Sequence, residues 1–304
     1  MTDYKLAEGW LEAGEAAASI SGTQLLFVCG AVKSGTTWVQ HWLNENPEID
    51  CRGEAHLFTD FADGLVKLCD TQNRRIEGLN QLKRDGIPHF PTISSGLAQR
   101  LMRETVIGCL AAYDVGPEIK VLGEKTPTSS VAVGMILSLF PDAKILNVIR
   151  DGRDMVVSTW HHNLRSNREG FLKTFPTFDD FLPEIARIWV GHQTPLLELG
   201  ENTAVRRIHY EDLLADPAPV VFGVFDWLDV AADEETVAAC VEATSFEVLS
   251  GGRKRGQADP DSFYRVGTER QWESEMTEAQ QDVFWGIAGE TMLAQGYDRS
   301  GRIR

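Results

Sequence analysis

Apolar and polar positions along the chain alternate between two rhythms, short continuous apolar runs and longer stretches with apolar residues every three or four positions. Residues 25–29 (LLFVC) form such a run, the pattern of a strand buried on both faces of a parallel sheet. It breaks at Gly30 into a loop holding Lys33, Ser34 and Gly35. Thr36 and Thr37 then open an amphipathic helix that continues through Trp38, Val39, Trp42 and Leu43. Further strands are predicted at 49–51, 119–122, 144–149 and 204–209. Helical spacing is read at 5–20, 57–86, 97–113, 130–140, 179–199, 217–228, 233–243 and 277–294. Leu97, Leu101, Val106, Leu110 and Tyr113 are the expected buried set of the third of these, and Phe181, Ile185, Ile188, Trp189, Leu196 and Leu197 mark the fifth. Residues 87–96, 165–178 and 250–272 read as loops. This alternation predicts an α/β fold with a central parallel sheet, in which ligands collect at the carboxyl ends of the strands. The loops after Cys29, Cys51, Leu122 and Ile149 are therefore expected to share one crevice. With no internal repeat and no linker, residues 1–304 read as one domain, 1–22 being a lead-in.

Composition adds exclusions. No apolar run is long enough to span a bilayer, and the N-terminal stretch lacks the regions of a signal peptide, so a cytoplasmic location is expected. Cys29, Cys51, Cys69, Cys109 and Cys240 are scattered and without CxxC spacing, which points to reduced thiols and away from a metal site. A net charge of −16 opposes partnership with nucleic acid or an anionic membrane. Oligomeric state is left open. Against so acidic a background, local clusters of Lys and Arg become informative.

Three such places carry candidate chemistry. The strand, small-residue loop and helix start at 25–38 make an anion cradle of backbone N–H groups and helix dipole. Its lysine lies two residues before Gly35, with Thr36 after that glycine, which is not the order of an ATP-binding Walker loop. At 144–162, Arg150 comes directly off a strand and Ser158 follows on the next helix. That pair suits a second phosphate, since Arg offers paired donors; a salt bridge from Arg150 to Asp151 or Asp154 is the alternative. Residues 250–272 gather Arg253, Lys254, Arg255, Arg265 and Arg270, either as a solvated loop or as a cover over a polyanion. His161 and His162 point about 100° apart on a helix, and are read as structural or pocket-edge residues.

Taken in register, these stretches resemble the cytosolic-type sulfotransferases, which use 3′-phosphoadenosine-5′-phosphosulfate (PAPS) and release 3′-phosphoadenosine 5′-phosphate (PAP). The resemblance covers about residues 23–285. It implies a single P-loop-like domain with helices on both faces of the sheet. GAVKSGTTW (30–38) matches the loop that binds the 5′-phosphosulfate, assigning Lys33, Ser34, Gly35, Thr36, Thr37 and Trp38 to the nucleotide. Arg150 and Ser158 match the Arg and Ser of the 3′-phosphate site. Tyr210, in HYEDLLADP, matches a tyrosine that faces the nucleotide, and FYRVGTERQW (263–272) matches the pattern RKGxxGDW, placing Arg265, Val266 and Gly267 at the nucleotide.

Two departures stand out. Val266 replaces the family's lysine, for which Arg253, Lys254 or Arg255 would have to compensate. The histidine that many members use as base, within KTH, is absent, and the chain reads Glu124-Lys125-Thr126-Pro127 there. Sulfuryl transfer needs a base for the acceptor proton and a cation at the bridging oxygen. Lys33 is the expected cation. Glu54 is the preferred base, resembling the glutamate of protein-tyrosine and bacterial sulfotransferases; the other reading makes it a surface partner of Arg52. His56 is the rival, expected on the opposite face of an extended segment, and Glu124 is the third candidate. Lys125 is expected near the transferring sulfonate or in ordering the site. Phe58, Phe61, Phe90, Phe171, Phe175, Phe178 and Trp189 either line an acceptor pocket or form core, and the segments 57–96 and 165–178 are the expected acceptor gate. The expected function is sulfuryl transfer to a hydroxyl or amine of a small-molecule or glycan acceptor, without metal. The alternatives are a P-loop kinase or a PAPS-binding protein that has lost transfer.

Overall fold

The computed structural model describes residues 8–82, 89–112 and 115–302. In chain order the elements are α1 (Glu8–Ser19), β1 (Gln24–Gly30), α2 (Thr36–Asn44), β2 (Ile49–Arg52), α3 (Ala62–Gln81), α4 (Ser95–Ala111) and β3 (Val121–Lys125). There follow α5 (Val133–Leu139), β4 (Lys144–Ile149), α6 (Gly152–Thr174), α7 (Phe178–Glu198), β5 (Val205–His209), α8 (Tyr210–Ala215), α9 (Pro217–Leu228) and α10 (Glu234–Ala243). Short helices α11 (Phe246–Leu249) and α12 (Trp272–Glu275), then α13 (Glu278–Ala294) and a small hairpin, β6 (Tyr297–Asp298) and β7 (Gly301–Arg302), complete the described chain.

The main sheet has the order β2-β3-β1-β4-β5, every pair parallel, so β1 is the central strand. Because side chains alternate across a strand, β1 sends Phe27 and Cys29 to one face and Leu26 and Val28 to the other. Phe27 and Cys29 join the core under α4 and α5 with Leu122 and Ile145. Leu26 and Val28 join Trp42, Leu43, Leu146 and Phe225 under α2 and α9. A third core, around Trp189 and Phe284, packs α6, α7 and α13 at the end of β4. Helices thus cover both faces, leaving the carboxyl ends of the strands as the open side.

Several boundaries differ from those the sequence predicts. The third strand runs through Lys125, so Glu124 and Lys125 lie on β3 and are buried rather than in a loop. Residues 165–174, expected as loop, continue α6 across a break at Asn167 (φ −157°, ψ 69°). The continuation is held by apolar packing, since Phe171 packs on Trp160, Phe175 and Phe181, and Phe175 on Phe181, with ring centroids 5.1–5.7 Å apart. The 130–140 helix is a 3-10 turn (Pro127–Ala132) followed by α5. The 57–86 stretch divides into one π turn (Leu57–Phe61) and α3, whose buried residues are only Ala62 and Cys69. On α4 the buried side is Met102, Val106 and Leu110; Leu97 and Leu101 face solvent, and Tyr113 lies outside the described residues. Ile188 is likewise exposed on α7. Residues 83–88, including the start of the expected 87–96 loop, also lie outside.

A buried polar cluster fixes the turn after β4. Asp151 caps α6 by accepting from the Arg153 N–H at 2.9 Å, and takes the Arg153 guanidinium on both oxygens at 3.0 and 2.6 Å. The same guanidinium donates to the carbonyls of Arg299 and Asp298 and lies 3.6 Å from the Trp272 ring centroid. Glu211, in the first turn of α8, accepts from the Asp151 N–H (2.9 Å) and the Tyr297 hydroxyl (2.7 Å). Burial pushes the Glu211 carboxyl from its usual 4.5 up to about 7. The folded protein therefore binds more protons than the unfolded chain between these values. Glu211's contribution to stability is complete below about pH 4.5 and is lost as pH rises toward 7, on the order of 3 kcal/mol in all. Glu211→Gln keeps an acceptor for the Asp151 N–H and removes the titration. Differential scanning calorimetry is expected to show the variant gaining about 5 °C in Tm on wild type between pH 5 and pH 8; parallel curves would contradict the assignment.

Candidate active site

The loop after β1 is folded back on the sheet ends. Lys33 adopts a left-handed backbone (φ 63°), a costly conformation for a residue with a side chain and one that concentrates at ligand sites. Ser34 is fully buried, and its Oγ finds no protein partner among the described residues. Gly35 (φ 99°) precedes α2 without a side-chain cap, leaving the first-turn N–H groups of Thr36 and Thr37 for a ligand. A Cβ at Gly35 would sit 2.6 Å from the Tyr210 ring, so glycine is required twice over. Tyr210 in turn meets Trp38 edge to face at 5.9 Å, and the Trp38 indole N–H donates to the Thr244 carbonyl at 2.8 Å. Burial pushes the Tyr210 hydroxyl above its ordinary pKa.

Arg150 leaves β4 and holds this loop. Its guanidinium donates to the carbonyls of Lys33 (3.1 Å) and Thr268 (3.3 Å) and stacks on Tyr210 at 4.4 Å. Asp154 lies 3.8 Å away, so the ion pair considered from sequence is present. Asp154 also accepts from the backbone N–H groups of Arg270 (2.7 Å) and Trp272 (3.2 Å). Hydrogen bonds to a buried carboxylate contribute about 1.5–3 kcal/mol each, against about 0–1 for the exposed Arg270–Glu273 pair, so Asp154 pins the end of the 250–272 segment. Ser158, two turns along α6, faces the same cleft.

The segment 250–272 has no regular structure beyond its last residue and folds over this loop. Phe263 places its ring 4.3 Å from the Lys33 ammonium. Burial first, then the like charges of Arg165 and Arg150, lower the Lys33 pKa to about 8. Arg265 lines the cleft, yet its guanidinium pairs with Gln271 and Glu275. Val266 brings no charge, and Gly267 (φ 70°) lies against Phe246, where a Cβ would meet the ring at 2.3 Å. Arg253, one of three candidates to replace the missing lysine, is committed to the loop itself, donating to the carbonyls of Gln257, Tyr264 and Arg265 and to Ser262 Oγ.

The loop after β2 brings carboxylates to the other side of Lys33. Lys125 Nζ lies 2.5 Å from Glu54 Oε1 and 3.4 Å from Thr37 Oγ1, so one buried ammonium links the β2 loop to the helix of the anion cradle. Glu54 lines the cleft; Glu124 and His56 are not among its lining residues. His56, expected to point away, instead sets Nε2 3.5 Å from Glu54 Oε2. The reason is its left-handed backbone (φ 50°), which ends the extended segment and turns the ring back. Glu124 is only 2% exposed; its carboxylate accepts from the Ala55 N–H (3.0 Å) and the Thr126 hydroxyl, and burial raises its pKa. It shapes the 53–56 loop from below. Among the described residues no group of three or more His, Cys, Asp or Glu is arranged to hold a metal ion.

The cleft so enclosed has a volume of about 440 Å³. Residues that the sequence did not single out complete it, notably Thr244, Phe246 and Leu249. Of His161 and His162, read as structural or pocket-edge residues, His162 lines it; burial, Lys33 and Arg165 lower its pKa, and Arg165 bonds its Nδ1 at 3.0 Å. None of the seven aromatics offered for the acceptor lines this cleft. Phe58 packs on Phe27 and Phe140, Trp189 is fully buried, Phe171 and Phe178 pack on Trp160 and Phe175 on Phe171 and Phe181, while Phe61 and Phe90 face solvent.

A sequence profile described as the sulfotransferase family matches residues 26–234. The chain is 24% identical to luciferin sulfotransferase of Photinus pyralis over 278 residues, covering 83% of this chain and 67% of that protein. It is 23% identical to protein-tyrosine sulfotransferase A of Caenorhabditis elegans, over 70% of this chain but only 51% of that one. Among solved structures, a mouse sulfotransferase complexed with PAP superposes with a TM-score of 0.55 at 14% identity, over 90% of this chain and 87% of that one, a likeness of fold. With the profile spanning more than half of its residues, including most of β1, the Lys33 loop, Glu54 and the Arg150–Ser158 pair, the chain belongs to the sulfotransferase family.

Proposed function

We propose that the chain transfers a sulfuryl group from PAPS to a hydroxyl or amine on a small-molecule or glycan acceptor, as one domain acting in the cytoplasm. The observation that carries this reading is the convergence of Lys33, Arg150 and Glu54 on one cleft, with Glu54 held by Lys125. The residues present fit such a nucleotide. The uncapped α2 N-terminus and Ser34 Oγ suit the 5′ end, while Arg150, whose buried Nε has no partner among the described residues, and Ser158 suit the 3′-phosphate. Trp38 and Phe246 supply apolar lining for a base.

When bound, the nucleotide supplies the sulfuryl group and leaves as PAP. Lys33 stabilises charge developing on the oxygen between phosphorus and sulfur, where a preorganised cation is worth most. Glu54 takes the acceptor proton as the acceptor oxygen bonds to sulfur. Lys125 keeps the Glu54 carboxylate turned into the cleft and adds positive charge next to Thr37. A kinase reading gains nothing from the placement of Lys33 before Gly35.

Isothermal titration is expected to show PAP binding at micromolar concentration, and its absence would overturn the proposal. With a phenol and alcohol panel as acceptors, Lys33→Ala is expected to slow transfer by about 10² to 10³. Glu54→Gln is expected to slow it by about 10² or more with the PAP Kd changed less than about twofold; full activity in that variant would move the base elsewhere. A protein that only binds nucleotide would show no transfer in the wild type. PAP affinity of the free enzyme is expected to weaken as pH rises above about 8, because anion binding favours the protonated Lys33. Lys33→Arg keeps its charge and should flatten that dependence, and an unchanged slope would exclude Lys33 as its source.

A further inference from the structure

We infer that Arg255 reads the 3′-phosphate together with Arg150, in the place of the cation that Val266 does not supply. The inference rests on the nucleotide reading above and concerns which of the five cations in 250–272 faces the ligand. Four are otherwise disposed. Arg253 is spent on loop carbonyls and Ser262, Arg265 on Gln271 and Glu275, and Arg270 on Glu273; Lys254 and Arg255 are both exposed, but Lys254 is not among the residues lining the cleft. Arg255 does line it.

The loop pairs with itself so as to put Arg255 beside the altered position. The Gly256 N–H donates to the Val266 carbonyl at 2.9 Å, and the Asp259 N–H donates to the Arg265 carbonyl at 2.9 Å. A side chain leaving residue 255 therefore starts next to residue 266 across the loop. From there the guanidinium crosses to the opposite wall, lying 5.5 Å from the Trp38 ring centroid and donating one N–H to the Leu214 carbonyl at 3.1 Å. A guanidinium has five N–H donors in a planar fork, so most remain for a phosphate. Its charge acts on the Tyr210 hydroxyl, as does that of Arg150, stacked on the same ring. Arg150 stacks on Tyr210 and Arg255 lies at Trp38, whose ring meets Tyr210 edge to face at 5.9 Å, so two guanidiniums border one aromatic pair in the lining of the cleft, paired charge that suits a dianion better than an uncharged ribose hydroxyl.

Titration calorimetry with PAP and with 5′-AMP, which lacks the 3′-phosphate, separates this role from a packing role. Arg255→Ala is expected to weaken PAP about tenfold and 5′-AMP less than twofold. Adding Val266→Lys to that variant is expected to restore most of the PAP affinity, and Arg255→Lys to retain an intermediate preference. Equal losses for both nucleotides would mean that Arg255 only packs on Trp38, and an unchanged PAP affinity would remove it from the site; either result overturns the inference. A wild type that does not prefer PAP to 5′-AMP would overturn the nucleotide reading itself, and that is visible before any variant is made.

Discussion

One buried guanidinium joins the parts of the site. Arg150 sits at the end of β4, donates to the carbonyl of Lys33 in the β1 loop and to that of Thr268 in the C-terminal segment, and stacks on Tyr210 at the start of α8. Three stretches far apart in sequence therefore meet at a single side chain. Burial alone would disfavour its charge, but the Tyr210 ring beneath it and the carboxyls of Asp154, Glu211 and Asp151 outweigh that cost and favour the charged form. The two acids on α6 differ in what they hold. Asp151 takes Arg153 and orients the turn, whereas Asp154 takes two backbone N–H groups and fixes the covering segment.

Charge balance explains why the cleft is arranged around carboxylates that do not all touch a ligand. A chain of net −16 gathers Lys33, Lys125, Arg150 and Arg255 in and around one crevice. Their mutual repulsion is visible in the lowered pKa of Lys33, to which Arg165, Arg150 and Lys125 all contribute after burial. Glu54 opposes that repulsion and pairs with Lys125. A polyanion entering the cleft brings the remaining counter-charge, so binding relieves a repulsion already present in the free protein.

The sheet and the anion cradle were legible in sequence because they depend on local pattern. The apolar run 25–29 and the glycine after it place β1 and its loop, and residues 144–149 are bounded as β4 to the residue. The pairing of Glu54 with Lys125 was not legible, since it spans 71 positions and follows from β2 lying next to β3 with Arg52 opposite Glu124. His56 was misdirected for the same kind of reason: alternation describes an extended chain, and the chain is left-handed there. The second half of α6 was missed because its polar residues hide Phe171 and Phe175, whose partners come from another part of the chain. The five loop cations looked equivalent as composition, and only contacts across the loop separate them.

The 250–272 segment has a kinetic consequence. Its backbone is anchored at the near end by the Ser250 and Gly252 N–H groups, which donate to the Phe246 and Glu247 carbonyls of α11, and at the far end by Asp154, while its middle touches the site through Phe263, the Thr268 carbonyl and Arg255. Movement of such a strap requires parting Lys33 from the Phe263 ring and breaking the hydrogen bonds of Arg150 to Thr268, Arg165 to Ser262 and Arg255 to Leu214, with both anchors left in place. Exit of a spent, tightly held nucleotide then depends on a local opening rather than on loosening of the sheet, and turnover can be governed by that opening while the chemistry beneath it is fast.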